Sequence, residues 1–271
     1  MNAAPEIVPR PAATVLLVRD GPAGLEVLMV TRNVASDFAS GALVFPGGRV
    51  DAADGAASML EHCRSVPGID AAALAFRIAG IRESFEEAHV LMARPKGSER
   101  LLTAAELAAL EAAARAKLGR EPQFGDLLAV GGIELATDLL APFAHWITPV
   151  GPPKRFDTHF FLAPAPLDQL AAHDGHEAVD TIWIAPEAAV AEADAKRVTL
   201  VFATRMNLLR LARSRDVAAA LAAAKRDTIV TVCPEVAQTP AGTVLRIPLA
   251  AGYGVTEVRA DIAVRAWIPR G

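Results

Sequence analysis

The sequence predicts an α/β fold in which a mixed sheet is sandwiched by helices. Three observations carry this. β-Branched runs of strand length are broken by Gly/Pro turns; Ala/Leu segments carry helix caps; and the order runs strand–strand–helix–strand–strand–helix. With 271 residues, 52% hydrophobic and 21% charged, the chain is long enough to bury a full core and has a globular composition.

Residues 12–19 and 25–32 are apolar, β-branched runs flanking Asp20-Gly21-Pro22-Ala23-Gly24, which reads as a hairpin. A short strand, Ala42 to Phe45, runs into Pro46-Gly47-Gly48, where the strand stops and the backbone turns tightly. A short helix is expected around Ser58–Arg64, then a strong one from Ala71 to Ala93, ended by Pro95 and Gly97. Residues 99–140 read as helical. Thr103 and Glu106 form a capping box there, and Gly119 and Pro122 close that helix. Strands follow at 143–148, 155–163 and Thr181–Ala185, then helices from Pro186, from Leu200 to Arg213 and from Asp216 to Lys225. The tail alternates like strands at 228–233 and 243–249, and no internal repeat appears.

A net charge of −4 without a dense Lys/Arg block argues against nucleic acid as a partner. No stretch of about 18 uncharged apolar residues predicts a membrane span. Met1 to Pro11 lacks the basic start and apolar run of a signal peptide. Cys63 and Cys233 fit neither a metal spacing nor a disulfide framework, so the expected compartment is the cytoplasm.

The chemistry concentrates in Arg82-Glu83-Ser84-Phe85-Glu86-Glu87-Ala88. On a helix with Glu83 at zero, Glu87 falls at about 40° and Glu86 at about −60°. Ile78, Ile81, Phe85, Ala88 and Met92 fall between about 140° and 220°. Three carboxylates therefore gather opposite an apolar stripe, where their repulsion is relieved by a hard divalent cation. Alone, such a face reads as solvated surface. The glycine turn upstream, where backbone can approach a metal or ligand, favours a site.

At these residues the chain resembles the Nudix hydrolase family, whose signature runs Gly, five residues, Glu, seven residues, Arg-Glu, apolar, any, Glu-Glu, any, Gly, apolar. Gly48 is followed after five residues by the conservative acid Asp54, and Arg82 to Val90 supplies the second half. About 20 residues interrupt the signature, as in the branch that includes peroxisomal coenzyme A diphosphatases. Arg155-Phe156-Asp157-Thr158-His159-Phe160-Phe161, Trp183 before Pro186, and Asn207-Leu208 are similar to that branch too. Ser84 and His89 depart from the pattern, standing where an apolar residue and Gly are usual.

The resemblance implies a Nudix-type α/β/α sandwich over residues 12–213, with an N-terminal tail at 1–11, a helical insertion at about 94–140 and a C-terminal extension at 214–271 packed on the same domain. It implies Mg2+ or Mn2+ held by Glu83, Glu86, Glu87 and a carbonyl at Gly47 or Gly48, with Arg82 holding a carboxylate. The implied reaction is hydrolysis of a diphosphate in a nucleotide-type small molecule, with coenzyme A or an acyl-coenzyme A as the lead. Glu177 or His176 is the candidate base. Arg32 and Arg155 are candidates for phosphate contact, and Phe38 or Trp146 for stacking. Two other readings stand beside this one. Ser84 and His89 favour a non-catalytic Nudix-type binding module, and the Ala-rich helices at 99–118 and 216–225 offer an interaction or homodimer surface.

Overall fold

The computed structural model describes residues 7–31, 42–166, 168–169, 181–240 and 242–259. Its spine is the hairpin of β1 (Arg10–Gly21) and β2 (Gly24–Thr31), with Val18 opposite Val27 and Gly21 opposite Gly24. Gly24 turns the chain at φ +128°, a conformation L side chains rarely adopt. β3 (Leu43–Val44), β4 (Gly47–Arg49), β7 (Ala141–Ile147), β8 (Phe156–Pro164), β9 (Thr181–Ile184) and β10 (Thr231–Val232) complete an eight-stranded mixed sheet. The order is β10-β7-β8-β1-β2-β3, with β4 also on β1 and β9 on β2; β1–β8 and β7–β10 are the parallel pairs.

Strand alternation divides the core into two layers. Leu16, Val18, Val27, Met29, Phe160 and Leu162 pack with buried residues of α5 (Pro186–Asp194), α6 (Phe202–Leu211) and α7 (Val217–Arg226). Ala13, Val15, Leu17, Leu28, Val30 and Phe161 pack beneath α2 (Ala71–Ala88), α3 (Ala104–Leu118) and α4 (Phe124–Val130). This is the expected α/β/α sandwich. Gly80 lets α2 lie against β1, since a Cβ there would come within 2.8 Å of Val15 Cγ2.

Several elements differ from expectation. α2 begins where predicted, capped by Asp70, but ends at Ala88 and not Ala93. His89 adopts φ 53° and closes the helix with bonds from its own N–H to Phe85 O and from Val90 N–H to Ser84 O. Val90, Leu91 and Met92 then run into the core fully buried. The expected turn at Gly47-Gly48 is itself strand β4, pairing with Ala12–Thr14. α1 (Ala57–Leu60) is a single turn, shorter than expected. Residues 99–140 are only partly helical: α3 has its Thr103–Glu106 capping box, but β6 (Ile133–Leu135) follows α4 and pairs with β5 (Ala93–Pro95). The three-residue strands carry no readable period, and Gly131 and Gly132 at positive φ break the helix.

The loop after α1 docks on this ribbon. Arg64 N–H donates to Leu135 O, Leu135 N–H to His62 O, and the Arg64 guanidinium pairs with Glu99 and Glu134. The tail adds a small antiparallel sheet of β11 (Glu235–Thr239), β12 (Gly242–Arg246) and β13 (Glu257–Arg259). Tyr253 ties this region to the core: its hydroxyl accepts from Trp146 Nε1 and donates to Asn207 Oδ1, both at 2.8 Å. No helix among the described residues is long and apolar enough to cross a membrane.

Candidate metal centre and cleft

α2 and β4 meet through carboxylates. Glu87 Oε2 accepts from the Gly47 N–H at 2.9 Å. A Cβ on Gly48 would fall 2.5 Å from the Glu83 carboxylate, so only glycine permits this approach. Glu83 is largely enclosed, whereas Glu86 is 45% exposed. Burial pushes the Glu83 carboxyl up, against the lowering pull of Arg82.

Arg82 organises the group. It donates to both oxygens of Asp54, to Glu83 at 2.8 Å, to Glu86 at 3.0 Å and to the Arg49 carbonyl at 2.8 Å. Burial works against its charge, but Asp54 and Glu83 outweigh this and hold the guanidinium more firmly protonated than usual. Asp54 is 1% exposed and also accepts from the Asp51 N–H at 2.8 Å. The sequence implies that Arg82 holds a carboxylate, and Glu86 at i+4 is the one within reach on a helix. That pair exists, but the bidentate bond to Asp54, 28 positions away, is the anchor.

The two departures from the signature are accommodated. Ser84 is fully buried, and its hydroxyl donates to Gly80 O at 2.8 Å. His89 takes the left-handed position glycine would fill, and its Nε2 lies 3.2 Å from Glu111 Oε1.

A cleft of about 570 Å3 opens beside Glu83, Glu87, Gly47 and Gly48. Arg10, Arg49 and Lys154 contribute cations to its lining, and Trp146, Phe156 and Phe202 an apolar wall. Of these the sequence offers only Trp146 as a substrate contact, with Phe156 inside the family-like segment; cleft-facing cations carry no spacing signal. Arg155 is elsewhere engaged. It is 5% exposed and donates to the carbonyls of Thr148 and Ile7, so this geometry makes it a strut at the start of β8 and does not favour phosphate contact. Arg32, Phe38, His176 and Glu177 lie outside the described residues.

Residues 63–211 match the family model described as the NUDT19 Nudix domain. The chain is 29% identical to an acyl-coenzyme A diphosphatase NUDT19 from Gallus gallus, covering 70% of this chain and 62% of that protein. It is 28% identical to the protein of the same name from Homo sapiens, covering 65% and 58%. The chain thus spans about three fifths of these relatives. Among solved structures, a Nudix hydrolase from Alicyclobacillus acidocaldarius superposes with TM-score 0.60 at 26% identity, covering 79% of this chain and 96% of that one.

Proposed function

This chain belongs to the NUDT19 Nudix domain family, and on that premise we propose that it hydrolyses a diphosphate bond with the help of a divalent cation, taking coenzyme A or an acyl-coenzyme A as substrate. The observation that carries the reading is the docking of Gly47-Gly48 onto Glu83 and Glu87 at the mouth of the cleft.

The donor set fits the cation. Glu83, Glu86, Glu87 and the Gly48 carbonyl are hard oxygen donors, the chemistry preferred by Mg2+ and Mn2+. When bound, the cation would neutralise diphosphate charge and render a water nucleophilic. The chain's own residues do the rest. Arg82 orients Glu83 and Glu86 while Asp54 fixes Arg82. Gly47 positions Glu87. Arg10, Arg49 and Lys154 offer charge to phosphate oxygens, and Trp146, Phe156 and Phe202 an apolar wall to the remainder of the substrate. A molecule joining a diphosphate to an apolar arm suits such a lining, and the relatives from Gallus gallus and Homo sapiens are named for such substrates. Glu177 remains our candidate base. A cytoplasmic location is part of the same proposal.

The test is a panel of coenzyme A, acyl-coenzyme A, ADP-ribose, NADH and dinucleoside polyphosphates, assayed with Mg2+ and with Mn2+. Cleavage of the coenzyme A compounds, abolished in Glu86→Gln and Glu87→Gln, is the expected result. No turnover of any member refutes the hydrolase reading, and preferential turnover of another member refutes the substrate.

A further inference from the structure

We propose that His145, Asp157 and His159 form a second cation site, which takes a divalent transition metal of the zinc class. This site shares no residue with the glutamate centre and does not depend on the hydrolase reading. His145 on β7 and His159 on β8 are directly opposed in the antiparallel ladder, and Asp157 precedes His159 by two positions. Period-two alternation puts all three on one face. That face is the α2 side, since His159 is in register with Ala13, whereas Thr158, Phe160 and Trp146 look into the cleft. Glu83 lies over Gly48, which is also in register with Ala13, so the two sites share α2 and one side of the sheet but draw on different strands and residues.

The geometry is that of a ligand set. One ligand atom from each of the three residues lies within 4.8 Å of the others. Ligand atoms bonded to one ion at about 2.1 Å lie at most about 4.2 Å apart, so binding would draw this set closer by side-chain rotation. The His145 ring is already oriented from behind, because its Nδ1 lies 2.8 Å from Thr231 Oγ1 while Nε2 meets Asp157. An outer hydroxyl on one imidazole nitrogen orients a metal-binding histidine, and an ion would take the place of the hydrogen bond that now joins the other nitrogen to Asp157. The His145 and His159 rings stack at 4.2 Å, and Phe76 packs 4.3 Å from His159 as an apolar wall.

Two imidazoles and one carboxylate favour zinc-class ions over Mg2+, which prefers oxygen throughout. A fourth position is left for an anion. Arg77 argues for one: it is 5% exposed, stacks over Phe161 at 5.2 Å, and its Nε has no partner among the described residues. A buried cation of this kind favours an anionic ligand beside the metal. With His145 and His159 bound, the ion would tie β7 to β8, and through Thr231 to β10.

The experiment uses the full chain carrying Glu86→Gln and Glu87→Gln, which disables the glutamate centre. After chelator treatment it is equilibrated with Zn2+ and its metal content measured; Co2+ absorption reports the ligand geometry, and Tm is followed with Zn2+ and with Mg2+. Retention of about one Zn2+ per chain is expected, with the visible bands of low-coordinate Co2+ and a Tm rise specific to Zn2+. His159→Asn and Asp157→Asn should lose all three signals. Should those variants fold poorly, Thr231→Val decides, with an expected loss of about tenfold in Zn2+ affinity. Failure of the starting protein to take up Zn2+, unchanged uptake in folded His159→Asn, or unchanged affinity in Thr231→Val overturns the proposal.

Discussion

The Arg82 guanidinium grips the buried Asp54 carboxylate with two hydrogen bonds, at 2.9 and 3.0 Å. Asp54 is thereby a positioning residue for carboxylates it does not touch. Asp54→Asn keeps the shape but removes one of the carboxylates that balance Arg82, leaving Glu83 and Glu86, a change that costs about 2 kcal/mol for a charged hydrogen-bonded partner. Chemical denaturation should register that loss, and metal titration should show weaker binding, because Glu83 and Glu86 lose their fixed partner.

The two glycines of β4 should fail differently. At Gly48 the new methyl meets the end of a flexible side chain, the Glu83 carboxylate, at 2.5 Å. Gly48→Ala should fold normally yet lose about a hundredfold in kcat/KM through displacement of that ligand. At Gly47 the methyl meets Ala13 O at 2.6 Å and Thr14 Cα at 2.7 Å, which are backbone. Gly47→Ala should lower Tm. Thermal melts and steady-state rates on both variants separate the two effects.

His89 supplies a pH dependence. Its pKa is raised, chiefly by the hydrogen bond to Glu111, with burial opposing. The protonated form is therefore favoured by folding. The stabilisation is fully present below the unfolded imidazole value, about 6.5, and is lost as pH rises through the higher folded value. His89→Asn tolerates the left-handed backbone but cannot titrate. Its Tm relative to the parent should improve as pH is raised across that window; a constant difference would show that the Glu111 contact contributes nothing.

Thiol labelling should be selective. Burial pushes Cys63 up to about 12, so it remains a thiol at neutral pH, whereas Cys233 is exposed. Brief alkylation of the native protein followed by peptide mapping should mark Cys233 first and Cys63 only on denaturation.

Tyr253→Phe should cost about 2 kcal/mol, because it strips the partner from Trp146 Nε1 and from Asn207 Oδ1 inside the core. Asn207 Nδ2 already lacks a partner among the described residues, so it cannot compensate. A urea titration checks this.

Local chemistry was legible in the sequence, and non-local pairing was not. The β1–β2 hairpin follows from its glycine turn, and the shared face of Glu83, Glu86 and Glu87 from helical spacing alone. The end of α2 was missed because a histidine holds the conformation usually given to glycine. Arg82–Asp54 was hidden by the interruption between them. His145 and His159 lay within predicted strands, but their proximity depends on register across a turn, which neither residue encodes. Arg155 reads in the sequence as a candidate phosphate contact; only its burial and its bonds to the carbonyls of Thr148 and Ile7 turn it toward the backbone.

The interruption in the signature and the ribbon after α2 meet through His62, Arg64 and Leu135. Two excursions separated in the chain by the carboxylate helix thus behave as one accessory module. Shortening either alone would leave the other with orphaned backbone groups, and loss of the loop would also take Arg64 from Glu134. Lengths on the two sides of α2 are therefore mutually constrained, and a minimal version of this domain must lose both together. The carboxylate helix itself, anchored from below by Val15 and from its flank by Asp54, is the fixed point around which such trimming would turn.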